Sequence, residues 1–356
     1  MSEQVTKSNR ESNFELLRIV SMLMIVTLHL LSNEGILSLP IGDSNYNLGW
    51  ILESFFIVAA NVYVLISGYF SVKSKFSFKK VIKLWLTVLF YSYGITFLLY
   101  FFKSNFNLVY SLSHLKLVAF PVIFGEYWFV TIYMLLFLIS PFLNVLINNL
   151  EKKDYKRMLI ILTIAMVLIK VILPTSFVFD KTGGYGIAWF IMLYLYAGYI
   201  RLHYDLKINK YIYLLTYILS SSIIACIKIF VGSMAMQNEN LNNFVGPLYD
   251  YNHILVLISS LCLFLFFKEL KIKNNKFINL ISSATFGVYL IHEQFFARNV
   301  IWHNLVKVYN VLDSKYILLY IIVSVLVVYT CCTIVELIRQ VCAKFINKKI
   351  LKNKLN

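Results

Sequence analysis

Asn13–Leu30 reads NFELLRIVSMLMIVTLHL, an apolar stretch broken by only three ionisable residues, Glu15, Arg18 and His29. A helix rises about 1.5 Å per residue and the hydrocarbon layer of a bilayer is about 30 Å thick, so roughly 20 such residues cross it. Comparable runs recur along the 356 residues, at about 14–32, 48–70, 81–102, 127–149, 158–174, 185–201, 211–231, 251–268, 280–303 and 315–338. With 60% of residues hydrophobic and 14% charged, the composition also points to lipid rather than water. The runs are continuous and lack period-two alternation, which favours helices that satisfy their own backbone over barrel strands. The expected fold is therefore all-α, a polytopic membrane bundle of about ten transmembrane helices. Residues 1–13 form a short tail, 14–338 the embedded region and 339–356 a basic tail. The first run is too long for a removable signal peptide and no small-residue cleavage site follows it, so it reads as a retained signal-anchor.

A net charge of +16 raises the question of nucleic acid, but the distribution answers against it. Lys and Arg alternate from loop to loop. The set containing both tails holds 23 of the 33, including Lys73, Lys75, Lys79 and Lys80 after the second run and Lys152, Lys153, Lys156 and Arg157 after the fourth. The opposite loops hold five. The positive-inside rule puts both termini in the cytoplasm, with the basic loops against anionic lipid. The five cysteines, Cys226, Cys262, Cys331, Cys332 and Cys342, have no metal-ligand spacing. They read as buried packing residues, and no metal is expected.

Ionisable side chains within spans are costly and mark function by default. Arg18 and His29 are 11 residues apart, about three helical turns, so both project from one face about 16 Å apart along the axis. His292 and Glu293 lie at a similar depth in the ninth run, which allows them to converge with His29 in one cavity. A neutral imidazole beside a carboxylate is a general base for a hydroxyl, and a guanidinium at the basic mouth suits phosphate. The structural alternative is that Arg18 snorkels to the interface and His29 bonds a neighbouring helix. Ser67-Gly68-Tyr69 closes the second run, where close packing and a ligand mouth are both consistent with it. Glu126 and Trp128 stand at the outer boundary of the fourth run, facing an acceptor or forming an aromatic belt. Glu53 is embedded with no evident partner. Lys170, Lys228 and Arg298 fall near span ends, Arg298 within reach of the His292-Glu293 cavity. His114, His203, His253 and His303 read as solvated histidines.

Together these residues resemble the acyltransferase 3 family of polytopic bacterial membrane acyltransferases. The resemblance is carried by Arg18 and His29 in the first helix, by VLISGYF (64–70), by YWFVTIYMLLFLISPFLN (127–144) and by TFGVYLIHE (285–293). It implies a ten-helix core in the bacterial cytoplasmic membrane that moves an acyl group to a carbohydrate hydroxyl. The donor implied is acetyl-CoA or another acyl-CoA, such as a succinyl donor, used as a co-substrate with no permanently bound cofactor. The acceptor implied is a capsular or other cell-surface polysaccharide, or its lipid-linked precursor. It also implies His29 as catalytic base or relay, Arg18 as donor-binding residue and His292 as a catalytic partner, and Glu293 beside it is expected to share that catalytic role. Ser67 and Tyr69 are expected on the donor side, Glu126 and Trp128 on the acceptor side. Many family members carry an extracytoplasmic hydrolase-like domain. Here none is evident, so the core completes transfer itself or passes the group to a separate extracytoplasmic transferase.

Two other classes compete with this expectation. A transporter or flippase of a lipid-linked glycan would show broken helices or internal repeats, and neither is evident in the sequence. A glycan polymerase or ligase would offer a sizeable outer loop, whereas the expected outer loops run only about 12 to 25 residues.

Overall fold

A computed structural model describes residues 10–106, 108–169, 182–235 and 245–353. Every regular element among them is helical. Among the described residues, seven stretches are long and apolar enough to cross a membrane: Ser12–Asn33, Ser44–Ser71, Phe78–Phe101, Trp128–Asn149, Lys210–Met234, Gly246–Lys268 and Ile317–Ile346. The expectation of about ten is not matched by these seven, and the three remaining runs explain the difference. The run at 185–201 is a 17-residue helix, Ile187–His203. The run at 158–174 is covered as far as residue 169, by helix Lys152–Thr163 and a π-turn over Ile164–Leu168. The rest of that run, with Lys170, lies outside the described residues. The run at 280–303 is not one helix but several short pieces, which corrects the expectation that no helix is broken.

In chain order the helices used below are α1 (Ser12–Asn33), α2 (Ser44–Phe56), α3 (Ala59–Ser71), α4 (Phe78–Phe101), α5 (Leu112–Ala119), α6 (Trp128–Asn149), α7 (Lys152–Thr163) and α8 (Ile187–His203). They continue as α9 (Lys210–Ala235), α10 (Ile254–Lys268), α11 (Lys276–Ser282), α12 (Thr285–His292), α13 (Phe295–Asn299) and α14 (Ile317–Asn353). The basic tail expected from 339 thus begins as an unbroken extension of α14.

Helix α1 occupies the middle of the bundle. It packs against α2, α3, α10, α11, α12 and α14, and its Leu17, Val26, Leu30 and Leu31 are fully covered. By contrast α4, α6, α9 and α14 expose large apolar side chains such as Phe97, Phe142, Leu219 and Val323. That much apolar surface is unfavourable in water and is the expected coat of helices facing lipid. The chain is a multi-pass membrane protein. Cys226, Cys331 and Cys342 share this exposed coat, whereas Cys332 is buried, so the reading of all five as buried packing is corrected.

Association in lipid depends on close packing and on polar contacts within the bundle. At Gly68 a Cβ would lie 2.9 Å from the Cβ of Ala197 and 3.2 Å from the Cα of Tyr194, so the absent side chain is what lets α3 approach α8. Nearby, the buried Asn61 of α3 donates to the carbonyl of Tyr251 (2.9 Å) and to Ser260 (3.2 Å), and accepts from Trp189 Nε1 (2.9 Å). One side chain thereby ties α3 to α8, to α10 and to the segment before α10. Replacing Asn61 by Leu leaves Trp189 Nε1 and a buried carbonyl without partners, at about 1–3 kcal/mol each. A fall in the thermal unfolding midpoint of the detergent-solubilised variant is the expected result.

Candidate active site

The two charged positions of α1 face different surroundings. Arg18 donates to Glu15 Oε1 at 2.6 Å, one turn back, and Glu15 Oε2 in turn accepts from Ser282 of α11 at 2.5 Å. Tyr63 of α3 donates to the carbonyl oxygen of Arg18 at 2.7 Å. His29 instead meets the pieces of the broken segment. Its Nδ1 lies 2.9 Å from His292 Nε2 and 3.0 Å from Glu293 Oε2.

The break itself makes this convergence possible. Adjacent residues of a continuous helix point about 100° apart, and residues five apart do not share a face. Here α12 ends at His292, and Gln294 caps α13 by accepting from the backbone of Phe296 and Ala297, both at 2.9 Å. Gln294 is pinned in turn by its bond to Thr96 of α4 (3.1 Å). His292 and Glu293 therefore both reach Nδ1 of His29, and Arg298 reaches back to Glu293 Oε1 at 2.9 Å.

The hydrogen-bond chain fixes the tautomers. His292 Nδ1 lies 2.6 Å from the carbonyl of Val288, which can only accept, so that nitrogen carries the proton and His292 Nε2 is an acceptor. His29 Nδ1–H then donates to it. This leaves His29 Nε2 with a free lone pair, on a ring that lines a cavity of about 240 Å³. Glu293 Oε2 sits beside the N–H rather than in line with it, and has no hydrogen-bond partner of its own. An anion so placed stabilises the imidazolium that forms when Nε2 takes a proton.

On the other side of three rings, Tyr63, Phe129 and Phe286, lies a second chamber of about 420 Å³ that contains Arg18 and Ser67. It opens at Arg10 and Ser283 into a groove lined by Lys80, Lys83, Arg339 and Lys344. Arg339 is held there by a double contact to Glu336, 2.7 Å for each bond. The basic groove, the Arg18 chamber and the His29 cavity thus lie in series, with a wall of three rings before the last.

Against this geometry, a family described as an acyltransferase domain, acyltransferase 3, matches residues 11–336. The chain belongs to that family. No curated protein and no solved structure matches it. Membership makes this a membrane acyltransferase and bears out the resemblance read from Arg18, His29, VLISGYF and TFGVYLIHE.

Within this acyltransferase the expected site residues separate. His29, His292 and Glu293 come together, and Arg18 shares its chamber with Ser67, whose hydroxyl donates to Tyr133 at 3.2 Å. Trp128 lines the His29 cavity. Tyr69 lines neither chamber: it is buried among Phe14, Phe70 and Phe264 with the Arg201 guanidinium 4.4 Å from its ring. Glu126 also lies apart, its two oxygens accepting from the backbone of Phe295 (3.1 Å) and from Ser92 (3.2 Å), which makes it a tie between loop and α13. Arg298 acts on Glu293 and does not line the cavity.

Sequence reading missed the dividing rings and Tyr289, whose buried hydroxyl has no partner and whose ring lies 6.3 Å from that of His29. The sole hint was the placement of Tyr289 in TFGVYLIHE, one turn before His292. His29, His292 and Glu293 also lie close enough to share a metal ion, with one donor atom of each within 4.8 Å of the others, although no metal was expected.

If Glu293 stabilises the imidazolium, Glu293→Gln keeps the shape and loses the charge. A kcat lower by roughly 10- to 100-fold with little change in KM for the donor is the expected outcome, read by steady-state kinetics in membranes.

Proposed function

We propose that this membrane acyltransferase moves an acetyl group from acetyl-CoA to a hydroxyl of a capsular or other cell-surface polysaccharide, or of its lipid-linked precursor. The observation that carries the reading is the series arrangement. A basic, phosphate-compatible groove leads past Arg18 to a cavity whose histidine has an unbonded nitrogen, with only three rings between. The donor has the matching order of parts: phosphates, a slender uncharged arm, then a thioester.

In this reading the phosphates bind at Lys80, Lys83 and Lys344 with Arg10 and Arg18 nearby, since charge-assisted bonds to phosphate are among the strong ones. The arm passes between Tyr63, Phe129 and Phe286 and presents the thioester carbonyl to the His29 cavity. His29 Nε2 removes the proton of the acceptor hydroxyl, and the oxygen attacks the carbonyl carbon. In this reading Tyr289, whose ring lines the cavity and whose buried hydroxyl has no other partner, turns that hydroxyl toward the carbonyl oxygen as negative charge builds there. The intermediate collapses with loss of the C–S bond, and the proton held by His29 passes to the CoA sulfur. One ester bond forms, one thioester bond breaks, and the base returns to its neutral tautomer.

The charge pattern supports this orientation: with 23 basic residues against five, the reading has the groove on the cytoplasmic side, where acetyl-CoA is available, and the His29 cavity in the outer half of the bacterial cytoplasmic membrane. The core at 14–338 then completes transfer itself, without a permanently bound cofactor, or hands the group to a separate extracytoplasmic transferase. A flippase is the weaker reading. The broken segment it would favour is present, but its pieces serve to bring His292 and Glu293 to His29 and Arg298 to Glu293, and the family is one of acyl transfer.

His29→Ala is expected to abolish O-acetylation of the surface glycan while the protein stays abundant in membranes. NMR of the purified glycan reads the first and immunoblotting the second; a fully acetylated glycan in that variant would reject His29 as base. Arg18→Ala is expected to raise the KM for acetyl-CoA about tenfold or more, as one charged contact of about 1.5–3 kcal/mol is lost.

A further inference from the structure

Glu53 presents an unpartnered carboxyl group in the wall of the His29 cavity. Among the described residues its carboxylate makes no hydrogen bond and no ion pair, and Oε2 is closed off from solvent without a partner. Lys228 comes near on the neighbouring helix but places its Nζ 3.9 Å from the ring of Trp50, one turn before Glu53, and does not pair with it. An embedded carboxyl left without a hydrogen bond is costly, so a ligand that bonds to it gains more than it would at a solvated site.

Beside Glu53 the same cavity carries an aromatic platform. The rings of Trp128 and Tyr251 are stacked at 5.6 Å and 26°, and Tyr185 lies 4.5 Å from Trp128 and 4.9 Å from Tyr251. The platform runs from Tyr251, 8% exposed, to Tyr185, 47% exposed, and so connects the cavity interior with the surface. A turn with no room for side chains holds it in place. Gly183 and Gly184 adopt φ of +65° and +86°, and a Cβ on Gly184 would meet Tyr251 Cβ at 2.7 Å and the Asn252 nitrogen at 2.8 Å. Tyr251 N–H donates to the Gly183 carbonyl at 2.8 Å, locking Tyr185 and Tyr251 together.

We infer that Glu53 and the Trp128–Tyr185–Tyr251 platform form the acceptor subsite, in which a sugar ring lies on the aromatic faces and donates a neighbouring hydroxyl to Glu53. The inference rests on the sugar O-acyltransferase reading and adds to it the groups that choose the position acylated. The embedded carboxyl needs a hydrogen-bonding group opposite it, so the subsite selects rings bearing a free O–H or N–H at the recognised position and disfavours rings in which that position is deoxy. The apolar faces alone would hold a ring without fixing which hydroxyl meets His29 Nε2.

The test is the partition of acetyl groups in membranes supplied with radiolabelled acetyl-CoA and the cell's own glycan: label transferred to glycan against label released as acetate. For Glu53→Leu the transfer-to-release ratio is expected to fall at least about 30-fold relative to the unmodified protein, with a smaller fall for Glu53→Gln, whose amide oxygen still accepts. Trp128→Ala is expected to lower the same ratio. If transfer and release fall together in Glu53→Leu, or neither changes, the subsite assignment is overturned. Should Glu53→Leu fail to accumulate in membranes, the ratio for Glu53→Gln decides in the same way. If the unmodified protein neither transfers nor releases acetate, the O-acetyltransferase reading fails first and takes the subsite with it.

Discussion

Hydrocarbon offers no hydrogen bonds, so every polar side chain on a membrane helix has to be paired from within the bundle or face a wet cavity. That constraint sorts the embedded residues of this chain into two groups. Asn61, Glu15, Gln294 and Glu126 are fully engaged, and each ties one helical piece to another. Among those left over, Tyr289 O–H, Glu53 and the free nitrogen of His29 belong to residues that line one cavity. The engaged group holds the helices at fixed separations. Only because it does so can the second group stay unsatisfied without the bundle collapsing onto it.

Helix α1 is where the two groups meet. Its N-terminal half is pinned by Glu15 to Ser282 and by the Arg18 carbonyl to Tyr63, and its C-terminal half ends against the broken segment. The break is the more consequential feature, since it turns two residues of one segment toward a single imidazole and a third, Arg298, toward Glu293. A continuous helix there would have given His29 one neighbour instead of two and left Glu293 without Arg298.

Much of this was legible from residue order. The apolar runs gave the helical bundle, and the interval between Arg18 and His29 gave two stations on one face because helical geometry is periodic. The convergence of His29 with His292-Glu293 followed from similar depth. The break at Glu293–Gln294 was hidden because neither proline nor glycine marks it: Gln294 caps with its own side chain, a role a mid-span glutamine does not announce. Tyr69 and Glu126 misled for a related reason. Their types suit a ligand mouth, but the partners that absorb them, Arg201 and the Phe295 backbone, come from distant parts of the chain. Glu53 was visible as a carboxylate without a partner, and the structure left it so.

The wall of Tyr63, Phe129 and Phe286 carries an electrical consequence. Water-filled space on both sides of a thin apolar layer concentrates the transmembrane voltage across that layer, where moving one elementary charge is worth about 2.3 kcal/mol per 100 mV. In the proposed reading every charge of the donor stays on the basic side and only a neutral thioester crosses, so the transfer does no electrical work. The three rings then serve as an insulator, and the enzyme can reach through an energised membrane without discharging it.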